Sequence, residues 1–244
     1  KLLQGSANLE FWETYDGTVV APMLSSLDKK LASVETGNAD TTAVAEETEA
    51  PAENLDTLAK AAEDKAALLA EVSKNEAADG KAAEAANEEM RKAHPLASVL
   101  SLVSGQGRGC VVGYALARDT ADVNSMINSE YAKGILPEDL SLKWGVKPSE
   151  MSQKAEIFEL YAIKTTGSNG RAPLEGDVIV NATNAFDQFG RPSVSMEMNT
   201  DGARTWAQLT KRNIDHAIAI VLDGVVYSAP NVMNEITGGR SEIT

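Results

Sequence analysis

The sequence holds one cysteine, two histidines and only 5% aromatic residues, and nowhere do eighteen apolar residues follow one another. A lone cysteine, Cys110, forms no internal disulfide. With two separated histidines it does not supply the ligand set of a structural zinc site either. The lack of a long apolar run excludes a transmembrane helix within these residues. No basic start leads into an apolar stretch and a cleavage site, so a signal peptide is not expected. Basic residues are also few, 22 Lys and Arg against 36 Asp and Glu, for a net charge of −14. Binding to nucleic acid or to an anionic bilayer needs clustered Lys and Arg, so neither is an expected partner. The chain opens with Lys-Leu-Leu-Gln and stops after Glu242-Ile243-Thr244, which reads as a piece of a longer protein with its targeting and anchoring segments elsewhere.

What is present is enough for a core. Hydrophobic residues make up 43% of 244, the size of one large or two small domains. Composition shifts sharply near residue 35. Between Glu35 and Ala93 there are fifteen acidic residues, six basic ones and eighteen alanines, with no aromatic. So little burial is available there that residues 36–53 are expected to be a loosely attached loop. Residues 54–93, rich in Ala, Glu and Lys, are expected to form a helical arm, interrupted at Gly80 and ended by Pro95. The arm reads as a solvated, charge-laced spacer or as a short coiled coil with its own partner.

The flanks are patterned differently. Ala7 to Thr14 alternates apolar and polar residues as a half-buried strand does. Asp16-Gly17 then turns the chain into a helix starting near Pro22, with Met23, Leu24, Leu27, Leu31 and Val34 on one face. Cys110–Leu116 reads as a strand. A helix capped by Asp119 or Thr120 follows, burying Val123, Met126, Ile127 and Tyr131, and Gly134 stops it. Strands are expected at Leu140–Val146, Ile157–Lys164, from Gly176 to Ala182, and at Ser193–Asn199. A helix capped near Thr200 should turn Ala203, Trp206, Ala207 and Thr210 inward. Ala217–Leu222, Asp223-Gly224 and Val225–Pro230 form a hairpin signal, because Asp-Gly supplies the positive φ of a tight turn. Mixed strands and helices with hairpins mean α+β, with antiparallel or mixed sheet and packed helices.

A search for chemistry returns little. Cys110 lies in a strand-like run with no histidine near it and reads as core. His94 and His216 each lack a second ligand at metal spacing and read as loop or surface residues. Gly105-Gln-Gly-Arg-Gly109 leads into a strand, whereas phosphate loops lead into a helix, so it reads as a connector. Asp177, Asp187, Asp201 and Asp223 have simpler parts at a strand start, a loop, a helix cap and a hairpin turn. No nucleophile elbow occurs. No catalytic residue, metal ligand or cofactor is therefore expected, and an enzyme is not.

Four stretches in order carry a resemblance: Leu174-Glu-Gly-Asp-Val-Ile, Phe186-Asp-Gln-Phe-Gly-Arg-Pro-Ser-Val, Asn199-Thr-Asp-Gly-Ala-Arg-Thr-Trp-Ala-Gln-Leu-Thr, and Ala217 to Pro230 with Ile236-Thr-Gly-Gly. With this spacing, residues 172–244 resemble the head of the first periplasmic domain of the SecD family. Gly5-Ser-Ala-Asn-Leu-Glu-Phe resembles the strand that opens the same domain. Together these cover roughly a third of the chain. The acidic insert and the segment 109–147 depart from the short SecD pattern and resemble the form in which SecD and SecF are fused. The base subdomain and the membrane helices of the family are absent from the match.

The resemblance implies an SecD-head-like α+β fold with an added Ala/Glu-rich helical insert. It places the head over 1–35 and 94–244 and the insert over 36–93. It further implies the periplasmic face of an inner-membrane accessory subunit of the SecYEG translocon, with SecF as partner through the full-length protein. Its part would be to capture and release unfolded preprotein after SecA has begun export, driven by the proton-motive force. The proton-carrying residues of the family lie in its membrane helices, so none maps here. Exposed apolar side chains on loops are the expected preprotein contacts, with Phe186, Phe189 and Tyr227 as candidates. Phe186 and Phe189 have the alternative of tucking under the next strand. Competing readings are a passive spacer of the translocon and, from a different class, a hydrolase or nucleotide-binding domain.

Overall fold

The computed structural model describes residues 8–35, 88–103, 109–149, 156–165, 170–186, 190 and 192–243. Most of the expected insert lies outside these residues, although residues 88–93 are helical. The strands are β1 (Leu9–Thr14), β2 (Ser101–Leu102), β3 (Val111–Leu116), β4 (Leu140–Trp144), β5 (Ile157–Lys164), β6 (Leu174–Glu175), β7 (Ile179–Phe186), β8 (Pro192–Met198), β9 (Ile218–Leu222), β10 (Val225–Ser228) and β11 (Arg240–Ile243). The α-helices are α1 (Gly17–Glu35), α2 (Thr120–Ile127) and α3 (Thr200–Arg212). The fold is α+β, and every pairing between these strands is antiparallel.

An eight-stranded sheet runs β10-β9-β1-β5-β3-β2, with β4 added on β5 and β6 on β1. The segment after β4 meets β10. Val146 donates its N–H to the Val226 carbonyl at 2.8 Å, beside a Gly145–Val226 bridge. β1, β5, β4, β10 and β9 thus close a ring around Trp12, Ile163, Ala219, Val221 and Val226. Because side chains alternate along a strand, β1 and β9 bury both faces. Phe11, Ile218 and Ile220 point the other way, to a second core under α3. Asp223 (φ 50°) and Gly224 (φ 86°) form the expected tight turn between β9 and β10.

A third core lies between α1, α2 and the β3–β5 part of the sheet. α1 presents Val20, Leu24 and Leu27 to it, with Leu31 packed alongside. It begins at Gly17 and carries Pro22 inside, so Pro22 does not mark its start as the sequence suggested. The chain approaches too closely for another residue there, since a Cβ on Gly17 would stand 2.5 Å from the Val111 carbonyl oxygen. Leu96, Val99 and Leu100 join this core.

Several local expectations are corrected. α2 ends at Ile127 and a separate 3-10 turn, Glu130–Ala132, follows; it buries Ala132 and leaves Tyr131 exposed. Neither Asp119 nor Thr120 caps α2 through its side chain: Asp119 holds the cap position without a hydrogen bond, and the Thr120 hydroxyl donates back to the Ala117 carbonyl. Residues Gly176–Val178 form a 3-10 turn ahead of β7 instead of starting a strand. Asp201 is not the cap of α3, because Asn199 accepts from the Gly202 N–H at 2.8 Å.

Candidate functional site

β7, β8 and β11 make a second, three-stranded sheet in the order β11-β8-β7. The sequence dictates its two-sided character. On β8, Met196 and Met198 point into the core shared with Phe11, Trp206 and Leu209. Ser195 and Glu197 alternate outward, where they line a shallow polar recess with Asn181, Thr183 and Arg240. Arg240 Nη2 lies 3.5 Å from Glu197 Oε1 across the β8–β11 pair.

α3 anchors this sheet through Trp206 and Leu209 under β8 and through close contacts at its first turn. A Cβ on Gly202 would meet Val178 at 2.6 Å and one on Gly239 would meet Ala203 at 2.6 Å, so both ends of the sheet rest directly on the helix. The Asn199 N–H bonds the Val178 carbonyl, and the Met198 N–H bonds that of Gly239, each at 2.8 Å. Beyond these contacts the outer strand β7 leaves the core, while β8 stays seated, with Ser193, Met196 and Met198 buried and Val194 to Glu197 paired to β11. Every residue from Val180 to Asn184 is exposed, and Phe186 at the far end of β7 is 74% exposed. Phe186 therefore does not tuck under β8. Val194, two positions along from Pro192, the partner of Phe186, and so on the same face, is 39% exposed.

Behind the sheet runs an apolar groove of about 270 Å³, walled by Trp206, Ile218, Ile220, Pro230, Val232 and Ile243, with Met233 at its mouth, 78% exposed. Trp206 is 5% exposed and packs edge-on against Phe11, with ring centroids 5.3 Å apart. It is core, as expected, and it is also a wall of the groove. Its Nε1–H is buried without an acceptor, an uncommon state for an indole in an interior. Thr210 fixes the segment closing the groove, accepting from the Ile236 N–H at 3.0 Å while donating to the Trp206 carbonyl at 2.8 Å.

Of the three residues expected to contact a partner, Phe186 stands at the exposed end of β7 and Phe189 lies outside the described residues. Tyr227 is 53% exposed at an irregularity of β10 between Val226 and Ser228, on the larger sheet. Phe186 and Tyr227 therefore occupy different sheets. The groove and Met233 were missed in the sequence, since Asn-Val-Met-Asn carries no periodic signal.

The groups capable of chemistry are tied up in structure. Burial pushes the Cys110 thiol up to about 11, the reverse of an activated nucleophile. Tyr15 is pushed up to about 12, first by burial and then by its hydrogen bonds to the Asp139 carboxylate. Tyr161, which bonds Glu159, is raised as well, with burial the largest cause. His94, an exposed loop histidine as expected, lies with Nδ1 3.0 Å from Oδ2 of the buried Asp28. His216 lies 3.3 Å from Asp16. Among the described residues no three His, Cys, Asp or Glu side chains are grouped so as to hold a metal, and no helix is long and apolar enough to cross a membrane.

Residues 156–244 match the family "SecDF, P1 head subdomain". Among curated proteins, the chain is 40% identical over 154 residues to the protein translocase subunit SecD of Rhodothermus marinus, covering 63% of this chain and 24% of that one. It is 46% identical over 70 residues to the protein translocase subunit SecDF of Thermus thermophilus, covering 29% of this chain and 10% of that one. The first of these spans more residues than the family match holds, so likeness to a protein named SecD alone extends outside 156–244. Among solved structures, one of a membrane component SecDF that enhances protein export is 20% identical, covers 96% of this chain and 84% of that one, and has a TM-score of 0.29. The chain spans less than a third of the length of the curated relatives it matches.

Proposed function

From the premise that the chain belongs to the SecD and SecDF family of protein translocase subunits and carries its P1 head subdomain, we propose that it is the periplasm-facing part of an inner-membrane accessory subunit of the Sec translocon. In this reading it holds unfolded preprotein briefly as the chain emerges and then lets it go, during export driven by the proton-motive force. SecYEG and SecF are its partners through the full-length protein.

The observation that carries this reading is Phe186, a large apolar side chain held in solvent at the end of β7, the outer strand of the small sheet. An aromatic ring exposed to this degree gains by covering its surface, at roughly 25 cal/mol per Å² removed from water. The exposed residues of β7 itself, Val180 to Asn184, are Val, Ala, Thr and Asn, none of them charged. Contacts of this kind are weak and sequence-tolerant, as suits a device that meets many different chains. The net charge of −14 adds attraction for basic segments at low salt.

The test is a titration of fluorescently labelled ribonuclease, reduced and carboxamidomethylated so that it stays unfolded, against the chain and against the Phe186→Ser, Phe189→Ser double variant. Binding by the parent and a loss of at least about fivefold in the variant, with an unchanged circular dichroism spectrum, are expected. No binding by the parent leaves only a passive spacer, and unchanged binding by the folded variant removes these side chains from the contact.

A further inference from the structure

β7 has one paired edge and one open edge. It pairs with β8 alone, and among the described residues no other strand lies along its far side. Natural sheets usually protect such an edge with a lysine, a proline, a bulge or a covering loop. From Ile179 to Phe186 the sequence Ile-Val-Asn-Ala-Thr-Asn-Ala-Phe has neither lysine nor proline nor any charge. Its one irregularity lies between Ile179 and Asn181 at the anchored end. Asn181 to Phe186 then pair one for one with Glu197 to Pro192, so the edge is regular where it is most exposed.

We propose that this edge takes up an extended segment of unfolded polypeptide as an additional strand. The inference rests on the capture reading above and names its mode: backbone pairing along Asn181–Phe186, with Phe186 supplying apolar cover at one end. In an antiparallel strand, alternate residues turn both N–H and C=O to the same side, so about three of these six residues offer both groups outward. Only another extended backbone matches that spacing, and it need have no particular sequence. Side chains of the incoming strand would lie beside Asn181, Thr183 and Ala185 on one face and Ala182, Asn184 and Phe186 on the other. All are small or uncharged apart from the phenylalanine ring, so the surface gives no basis for selecting one client over another.

Charge decides between a foreign segment and a second copy of this chain. Acidic residues flank β7 in the sequence, Asp177 before it and Asp187 after it, and each chain carries −14. Two copies meeting along β7 would bring like charges together, whereas a neutral or basic segment would not.

The experiment follows amide hydrogen exchange in the whole chain with and without the same unfolded ribonuclease. Alternate amides within 181–186 exchange fast in the free protein. They should slow at least about tenfold when the probe is bound, while the amides facing β8 change little. Two variants sharpen the result, Ala182→Pro and Thr183→Pro. Neighbouring N–H groups point to opposite edges, so one substitution breaks the β7–β8 ladder and the other removes only an outward donor. The variant that keeps the parent circular dichroism should bind the probe at least about fivefold more weakly. Probe binding without protection of any amide in 181–186 overturns strand addition but leaves capture by side chains standing. Absence of probe binding overturns both. Concentration-dependent protection without probe assigns the edge to a second copy and overturns the proposal.

Discussion

Trp206 offers a quantitative test of the packing behind the hairpin. It is 95% covered, the counterpart of its 5% exposure, and joins Phe11, Leu209, Met196 and Met198 in the core that seats the small sheet on α3. Trp206→Ala removes a ring that the core cannot refill and should cost about 3–5 kcal/mol. Trp206→Phe should behave differently. It keeps an aromatic edge for Phe11 and leaves a smaller void, worth about 1–1.5 kcal/mol. It also removes a buried N–H that has no acceptor, a relief of about 1–3 kcal/mol. The two effects nearly cancel, so Trp206→Phe should fall within about 1 kcal/mol of the parent. Urea unfolding followed by circular dichroism at 222 nm measures both variants without depending on tryptophan emission. If Trp206→Phe were as costly as Trp206→Ala, the indole N–H must be satisfied in solution, and the account of this groove wall would be wrong.

Other consequences are as direct. Asp28 on α1 accepts from the N–H groups of Leu96 at 2.9 Å and Ala97 at 3.1 Å and lies against His94, so Asp28→Ala should cost about 3–4 kcal/mol in urea unfolding, and Asp28→Asn, which keeps an acceptor, about 1 kcal/mol. Cys110 and Tyr15 both have raised folded values, to about 11 and about 12 from 9.0 and 10.0, so the stability they contribute is complete below about pH 9 and is lost as pH rises through 11 to 12; thermal melts should fall steeply over that window, and less steeply in Cys110→Ala. Deleting Thr36–Glu53, whose one large aliphatic residue is Val44, should move the melting temperature by no more than about 2 °C, and loss of cooperative unfolding would place that segment in the core.

The sequence made the regular parts readable where burial was one-sided or a turn had a specific chemistry. Alternation in Leu9–Thr14 and the Asp223-Gly224 pair both led to the right elements, and Trp206 was placed inward by its spacing from Ala203 and Thr210. It misled where a neighbour in space decided the outcome. Pro22 lies inside α1 because the helix begins at Gly17, pressed against Val111, a contact with no local signature. Asn199 and not Asp201 caps α3, since the docking of Gly202 on Val178 sets where the helix starts. His94 is the exposed loop residue the sequence suggested, but its partner Asp28, far away in the chain and buried on another element, had no local signature. The closure of the large sheet through Val146 and Val226 likewise joins segments far apart in sequence. For the candidate site, aromatic residues beside Gly and Pro pointed to Phe186, but the open edge of β7 follows only from the strand order.

The most direct test of the central claim is photo-crosslinking in the full-length protein during export, with p-benzoylphenylalanine placed at Phe186 and, separately, at Tyr131. Both positions are exposed aromatics, 74% and 44% respectively, but Tyr131 belongs to the turn after α2, away from the small sheet. With a preprotein stalled in transit, position 186 should crosslink to it strongly and position 131 only at background. Equal yields at the two positions, or a crosslink at 131 alone, would contradict a role for this hairpin in holding the emerging chain.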